Sequence, residues 1–520
     1  MAHNHKIYIL DTTLRDGQQS PGAGMSFKDN IQFAKLANDL NIDILEAGFP
    51  AASKMDFNIV NAIAKEIDTN GSNMIVAGLC QMKEEQLLLT MRALEPLRRK
   101  KQARVHIYLP VDPVLAKSSL KENNQKLNIQ ETYRLIKLAY DKGFQVQFSA
   151  EGYSMLGDQF SYVSDLFNAA VHGGATIINC PDTIGGASIH QGSQYFIKNI
   201  KKHANIIKSN FPDKKITWSV HCHNDLGMAL SNSINAVFDG TVKQVEGCIN
   251  GVGERAGNMA LEQFFIYLHK FGNDIVNKYY TTVNLSKIQV ISNFISDKML
   301  PRQPHSPIVG DNSAKHSSGG HTNAILKNPL AYQPFDPKLT GNSISFIFGP
   351  LSGGNLLQEI INNYGYKCPN TDKARIAQLI KDKYSHRRKG ITDKEVIYAF
   401  KEVISPLKLN RVYRHPTSKT YHIDFSIFGL RQTQSLKSNK ITYATKMIKD
   451  FLVNHKKKKS ITKNIDIEIN HFTTQFEQAH INLYRENTEK LNILANIEEI
   501  IKEANSLYID NKFKNHIKEY

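Results

Sequence analysis

The chain has 520 residues, of which 41% are hydrophobic and 22% charged, and its formal net charge is +17. That length suits two or three domains around a sizeable core, and no apolar run approaches the roughly 20 residues of a membrane span. The basic excess is diffuse apart from Lys456-Lys457-Lys458-Lys459 and carries no Arg/aromatic cluster, so a solvated surface is expected rather than a specific nucleic-acid face. Five scattered cysteines (Cys80, Cys180, Cys222, Cys248, Cys368) form no CxxC pair and read as reduced, buried thiols. Strand-like residues begin at Lys6, which leaves no room for a signal peptide and makes a cytoplasmic location the expectation.

Eight strand-like segments precede residue 255: Lys6–Leu10, Ile44–Phe49, Met74–Leu79, Arg104–Pro110, Gln145–Glu151, Thr176–Asp182, Thr217–Asp225 and Gln244–Gly251. Stretches long enough for a helix separate them. In the first, Ser26 and Asp29 resemble a capping box ahead of Ile31, Ala34, Ala37 and Leu40 at helical spacing. Eight such alternations predict a closed (β/α)8 TIM barrel over residues 1–285. A doubly wound sheet is the rival, but no Gly-rich phosphate turn follows the first strand.

A catalytic barrel gathers reactive side chains at the C-terminal ends of its strands. Here the first strand runs into Arg15 and Asp16, and the second carries Glu46. Strand alternation puts Arg104, His106 and Tyr108 on one face of the fourth strand, and Gln147, Ser149 and Glu151 on one face of the fifth. The sixth ends in Pro181-Asp182-Thr183, and the eighth runs into Glu254 and Asn258. A purely structural barrel would fill these positions with Val, Ile and Leu.

The seventh strand, Trp218-Ser219-Val220-His221-Cys222-His223-Asn224-Asp225, sets two histidines two residues apart on one face. A carboxylate is on offer in Asp11-Thr12-Thr13-Leu14-Arg15-Asp16-Gly17. Two imidazoles and a carboxylate suit a divalent cation with open positions for substrate.

Residues 286–404 form a mainly helical linker region with Gly/Pro/Ser/His-rich loops, including Lys315-His316-Ser317-Ser318-Gly319-Gly320-His321 and Tyr332-Gln333-Pro334. Residues 405–520 read as a smaller α+β domain, strand-like at Tyr421–Phe428 and helical at Asn487–Leu507.

With Asp11–Gln19, His221–Ala229 and Asn250–Glu262 in hand, the chain resembles the 2-isopropylmalate synthase/homocitrate synthase family over roughly residues 5–400. These enzymes condense acetyl-CoA with a 2-oxo acid in a Claisen reaction and then hydrolyse the thioester. The resemblance implies Asp16, His221, His223 and Asn258 as ligands of a divalent metal (Mn, Mg or Zn), and Arg15 as the catalytic arginine. It implies Thr183 as the hydroxyl on the oxo-acid carboxylate, Glu151 as a barrel-mouth carboxylate, and His321 with Tyr332 as an acid–base pair. In the family that pair reaches the barrel of a second copy, so a homodimer is expected. Gly319-Gly320 suits a loop closing over acetyl-CoA, and Gly251-x-Gly253-Glu254 suits close approach of the coenzyme.

His106, Tyr108, Gln147 and Ser149 are assigned to the acceptor. Homocitrate synthases place Arg where Gln147 stands, and a neutral amide cannot offset a second buried carboxylate. The acceptor expected is therefore 3-methyl-2-oxobutanoate, with 2-oxoglutarate or pyruvate as alternatives. Three departures flank this pocket: Gln18 in place of Glu, Gly152-Tyr153-Ser154-Met155 after Glu151, and Leu109-Pro110-Val111-Asp112 in place of a Ser/Thr-rich turn. The C-terminal region lacks the Gly-rich leucine-binding pattern. A metal-dependent lyase on a related barrel and a basic nucleic-acid-binding protein are the rival readings.

Overall fold

Apolar residues at every second position give each strand one face for helices and leave the other for the barrel lumen. In the computed structural model, which describes residues 3–435 except 121–123, 274–276, 367, 369, 388, 405–406, 415, 418–420 and 428–429, eight parallel strands close in sequence order. They are β1 (Tyr8–Asp11), β2 (Ile44–Glu46), β3 (Ile75–Gln81), β4 (Ala103–Pro110), β5 (Gln145–Glu151), β6 (Ile177–Asp182), β7 (Thr217–Cys222) and β8 (Val242–Gly247). β8 returns to β1 in register Tyr8↔Gln244 and Leu10↔Glu246.

Several expected boundaries move, and β2 ends at Glu46 rather than Phe49. The Lys6–Leu10 run divides at Ile7: His3–Lys6 pairs with Asn277–Tyr280 outside the barrel, and only Tyr8–Asp11 enters it. The switch occurs where Ile7 N donates to Tyr280 O at 2.8 Å. β7 stops at Cys222, because His223 leaves the ladder to form an isolated bridge with Asn258. β8 stops at Gly247, and Ile249–Gly251 is a 3-10 turn.

Outside the strands the core is continuous and apolar, with Ile9, Leu45, Val76, Val105, Phe148, Val220 and Val245 buried against helices. The helix Phe27–Asp39 is representative: Ser26 Oγ accepts from Asp29 N at 3.2 Å, and Phe33, Ala34 and Ala37 face inward. Burying a ring such as Phe33 contributes about 1.5–3 kcal/mol. The helix Ile288–Lys298 sends Ile288, Ile291 and Ile295 into this same core. Inside the barrel a small apolar group (Leu10, Ile44, Ala77) stands apart from this core, and polar side chains occupy most inward positions among the described residues.

The described chain divides into two compact units, Met1–Ala314 with Phe335–Ser343, and Lys315–Pro334 with the residues from Ile344 onward. The second unit has helices Gly319–Lys327, Gly354–Asn363, Asn370–Lys383 and Asp393–Ile404, and Leu356, Ile360, Ile376, Ile380 and Phe400 lie in its core. Gly319 and Gly320, expected as a closing loop, instead open the first of these helices. Gly319 N donates to Leu351 O at 3.0 Å, which ties the helix start to a neighbouring segment. Leu407–Arg414, Tyr421–Ile427 and Leu430–Ser435 form an antiparallel sheet. The expected helix at Asn487–Leu507 and the Lys456–Lys459 run lie outside the described residues. Among the described residues no helix is long and apolar enough to cross a membrane.

Asp11 ends β1 fully buried; its Oδ1 accepts from Thr13 N at 2.8 Å and its Oδ2 has no partner. Burial raises its carboxyl to about 7. The unfolded chain ionises this group near 4 and the folded chain near 7, so folded stability declines as pH rises through that window and levels off above it. Asp11→Asn removes the ionisation and keeps the Oδ1 acceptor. Its melting temperature is expected to fall less than that of the wild type between pH 4.5 and 7.5; parallel profiles would overturn the assignment.

Candidate metal and substrate site

The C-terminal strand ends converge on an open cleft. Asp16 reaches it from a tight turn after β1, in which Arg15 N and Asp16 N both donate to Thr12 O. His221 stands near the end of β7 and His223 just beyond it. One ligand atom from each of Asp16, His221 and His223 lies within 4.8 Å of the others. The Nε2 atoms of His221 and His223 stand 3.7 and 3.9 Å from Asp16 Oδ2. Asn258 Nδ2 donates to Asp16 Oδ1 at 2.7 Å, while Asn258 Oδ1 is buried without a partner. Two imidazoles and a carboxylate around one point, with a buried, unpartnered carbonyl oxygen on the residue that binds that carboxylate, form a donor set that fits a divalent cation.

Protonation favours the same reading. Burial, then the neighbouring His221, pushes His223 down to about 3, which keeps it the neutral imidazole that a metal requires. Burial would raise Asp16, but Arg15 and the two histidines hold it well below the usual carboxylate range. Gly253 lies against this cluster at φ +157°, where a Cβ would stand 2.2 Å from Asn258 Nδ2. Its missing side chain makes room for the ligand set.

Arg15 is clamped between two carboxylates, with Nε 2.6 Å from Glu46 Oε2 and a terminal nitrogen 2.5 Å from Asp16 Oδ2. Burial opposes its charge, but Glu46 and Asp16 outweigh that and raise its pKa further. The other oxygen of Glu46 meets His106 Nδ1 at 2.5 Å. His106 Nε2 meets Ser149 Oγ at 2.6 Å, and Asn179 Nδ2 donates to that hydroxyl at 2.8 Å. Nδ1–H facing Glu46 leaves Nε2 as an acceptor, so the Ser149 hydroxyl donates to His106. Tyr108 Oη accepts from Gln81 Nε2 at 3.1 Å. Glu151, at the end of β5, is raised by burial. Thr183 Oγ1 accepts from Gly152 N at 2.9 Å, and its own proton remains to donate.

The cleft thus brings together ten of the sequence-predicted residues: Arg15, Asp16, His106, Tyr108, Ser149, Glu151, Thr183, His221, His223 and Glu254. Asn258 backs Asp16, and Gly251 and Gly253 pack around Asn258. Gln147, expected against the acceptor, does not line the cleft. It is fully buried, donates to Glu246 Oε1 at 2.7 Å and accepts from Arg104 at 3.2 Å. Two charged neighbours claim its amide and hold it one pleat below. His321 and Tyr332 belong to the second unit, where their rings stack at 3.9 Å.

Sequence reasoning passed over Glu246 and Arg255, which also line the cleft. Glu246 was legible as the inward partner of Gln244 on β8. Arg255 grips Asp225 through two nitrogens, at 2.9 and 3.1 Å, and donates to Thr183 O at 2.7 Å, contacts that no local pattern announces.

The HMGL-like family model matches residues 6–295, and the "Homocitrate synthase post-HMGL domain-like" model matches residues 308–388. The 2-isopropylmalate synthase of Aquifex aeolicus is 35% identical over 401 residues, covering 75% of this chain and 72% of that protein. That of Pyrococcus abyssi is 34% identical, covering 75% and 76%, and that of Heliobacterium modesticaldum 32%, covering 82% and 80%.

Burial would raise Glu46 too, but Arg15 and His106 bring it down to about 2. Its contribution to stability is complete above about 4.5, the ordinary value, and is lost as pH falls towards 2. Glu46→Gln leaves the buried guanidinium of Arg15 short of an anion and should cost about 3–5 kcal/mol in urea denaturation. The deficit should be constant from pH 5 to 8 and shrink below pH 4.5. A deficit under 1 kcal/mol would mean that Asp16 alone satisfies Arg15.

Proposed function

This chain belongs to the HMGL-like family and, within it, to the 2-isopropylmalate synthases, and from that membership we propose that it condenses acetyl-CoA with 3-methyl-2-oxobutanoate and hydrolyses the thioester, releasing 2-isopropylmalate and CoA. The observation that carries the reading is the convergence of Asp16, His221 and His223 beside the buried guanidinium of Arg15. A divalent cation (Mn, Mg or Zn) held by these three and Asn258 would supply Lewis-acid polarisation of the acceptor keto group.

The chain's own groups do the rest. Arg15 offsets negative charge as it develops on the keto oxygen, and its two carboxylate contacts fix it for that task before substrate arrives. Thr183 donates its free hydroxyl proton to the acceptor carboxylate. His321, with Glu151, takes a proton from the acetyl methyl, and Tyr332 completes the acid–base pair. Glu254, with the Gly251–Gly253 turn, serves the coenzyme. His321 and Tyr332 act across a homodimer, as the family resemblance implies.

The acceptor follows from the cleft wall. Phe49 and Leu79 supply apolar surface beside His106, Tyr108 and Ser149. The inward cation of β4, Arg104, is bound to Gln145, Gln147 and Gln244 rather than turned to the cleft. A branched apolar acceptor finds surface there, and among the described residues a second carboxylate finds no free cation on that wall. Leucine biosynthesis is the pathway this product serves.

CoA-thiol release measured with acetyl-CoA and a panel of 2-oxo acids tests the proposal. Release is expected with 3-methyl-2-oxobutanoate; strict dependence on 2-oxoglutarate or pyruvate would reassign the enzyme to homocitrate or citramalate synthesis. His321→Ala is expected to lower kcat by about 100-fold or more, the scale of general acid–base catalysis, with little change in oxo-acid KM. Equal losses in both would make His321 a binding residue.

A further inference from the structure

Beneath the ligand cluster, two buried polar atoms without hydrogen-bond partners face each other: Glu246 Oε2 and His221 Nδ1, 3.5 Å apart. Glu246 is 1% exposed, and its neighbours leave it one free direction. Its Oε1 accepts from Gln147 Nε2 at 2.7 Å, Ser219 Oγ at 3.1 Å and Gln244 Nε2 at 3.5 Å. The two amides are themselves oriented, since their oxygens accept from Arg104 at 3.2 and 2.8 Å. With Oε1 saturated, Oε2 points to the imidazole alone. The other ring nitrogen of His221 looks the opposite way, towards Asp16 Oδ2.

We infer that Glu246 is a positioning residue, which accepts Nδ1–H from His221 and so fixes the tautomer whose Nε2 lone pair faces the metal site shared with Asp16 and His223. The inference rests on the metal reading of that cluster. A neutral imidazole carries one proton, and whichever nitrogen holds it cannot bind a cation. A carboxylate at Nδ1 settles that choice and fixes the orientation of the ring. Gln147, Ser219 and Gln244 hold the carboxylate's far oxygen and Arg104 orients the two amides, which accounts for polar side chains at positions a barrel normally fills with aliphatic ones. It also gives Gln147 a task other than contact with the acceptor.

Nitrogen NMR of the zinc-loaded, 15N-histidine-labelled protein tests the tautomer without any change at Glu246. The His221 signal, identified by its loss in His221→Ala, should show a protonated Nδ1; a proton on Nε2, or zinc on Nδ1, overturns the inference. In Glu246→Gln the new amide donates to Nδ1 and forces the proton onto Nε2. The Mn2+ dissociation constant from calorimetry should rise about 10–100-fold, with thermal unfolding of the metal-free variant as the control for folding. Ser219→Ala removes one donor from the far oxygen and should shift it less than about fivefold. Equal Mn2+ affinity in Glu246→Gln and the wild type overturns the role of Glu246 and leaves the site standing. Absence of Mn2+ and Zn2+ binding to the wild type overturns both.

Discussion

A guanidinium enclosed at the mouth of a closed barrel must be neutralised by its neighbours, and the arrangement of this site follows from how Arg15 meets that demand. Its two anions are Asp16 and Glu46, and each has a second commitment. Asp16 accepts from Asn258 and faces both histidines, so the charge that balances Arg15 also centres the ligand cluster. Glu46 binds His106, His106 binds Ser149, and Ser149 accepts from Asn179. Strands β1, β2, β4, β5 and β6 are thereby joined by one line of hydrogen bonds across the lumen. A change at any member leaves a buried charge or donor without its partner, which is costlier than the loss of one contact.

Such an interior does not stabilise the fold on its own account. Desolvating ionised groups opposes folding, and well-packed aliphatic residues of like volume often do as well or better. The stabilising free energy comes from the continuous apolar layer between strands and helices, where Phe33, Phe148, Phe167 and Phe264 are buried. The barrel therefore separates its tasks by strand parity: one face of each strand builds the core, and the other holds chemistry.

The departures from the family pattern are taken up locally. Gln18 donates to Leu14 O and Asn30 Oδ1 and accepts from Met25 N, so it fastens the loop after β1, while Gln19 reaches the cleft. The two unusual segments after β4 and β5 fit each other. Asp112 caps the helix Pro113–Ser119 by accepting from Leu115 N at 2.7 Å. Gly152 sits beside it at φ +80°, and a Cβ there would come within 2.5 Å of Asp112 Cβ. That contact, together with the positive φ, requires glycine at 152.

Much of this was legible from the amino-acid order alone. Eight alternations of strand and helix specified the closed barrel, and period-2 spacing set His221 beside His223 and His106 beside Tyr108, because side-chain direction along a strand is a local property. Tertiary structure decided what those inward side chains meet. Gln147 is separated from Gln244 and Glu246 by 97 and 99 residues, and only closure of the barrel makes them neighbours. Whether an amide touches substrate or a buried carboxylate depends on its height in the lumen, which register fixes and spacing does not. The same closure withdrew Ile7 from the ladder, took His223 past the end of β7 to meet Asn258, and aimed Glu246 at His221.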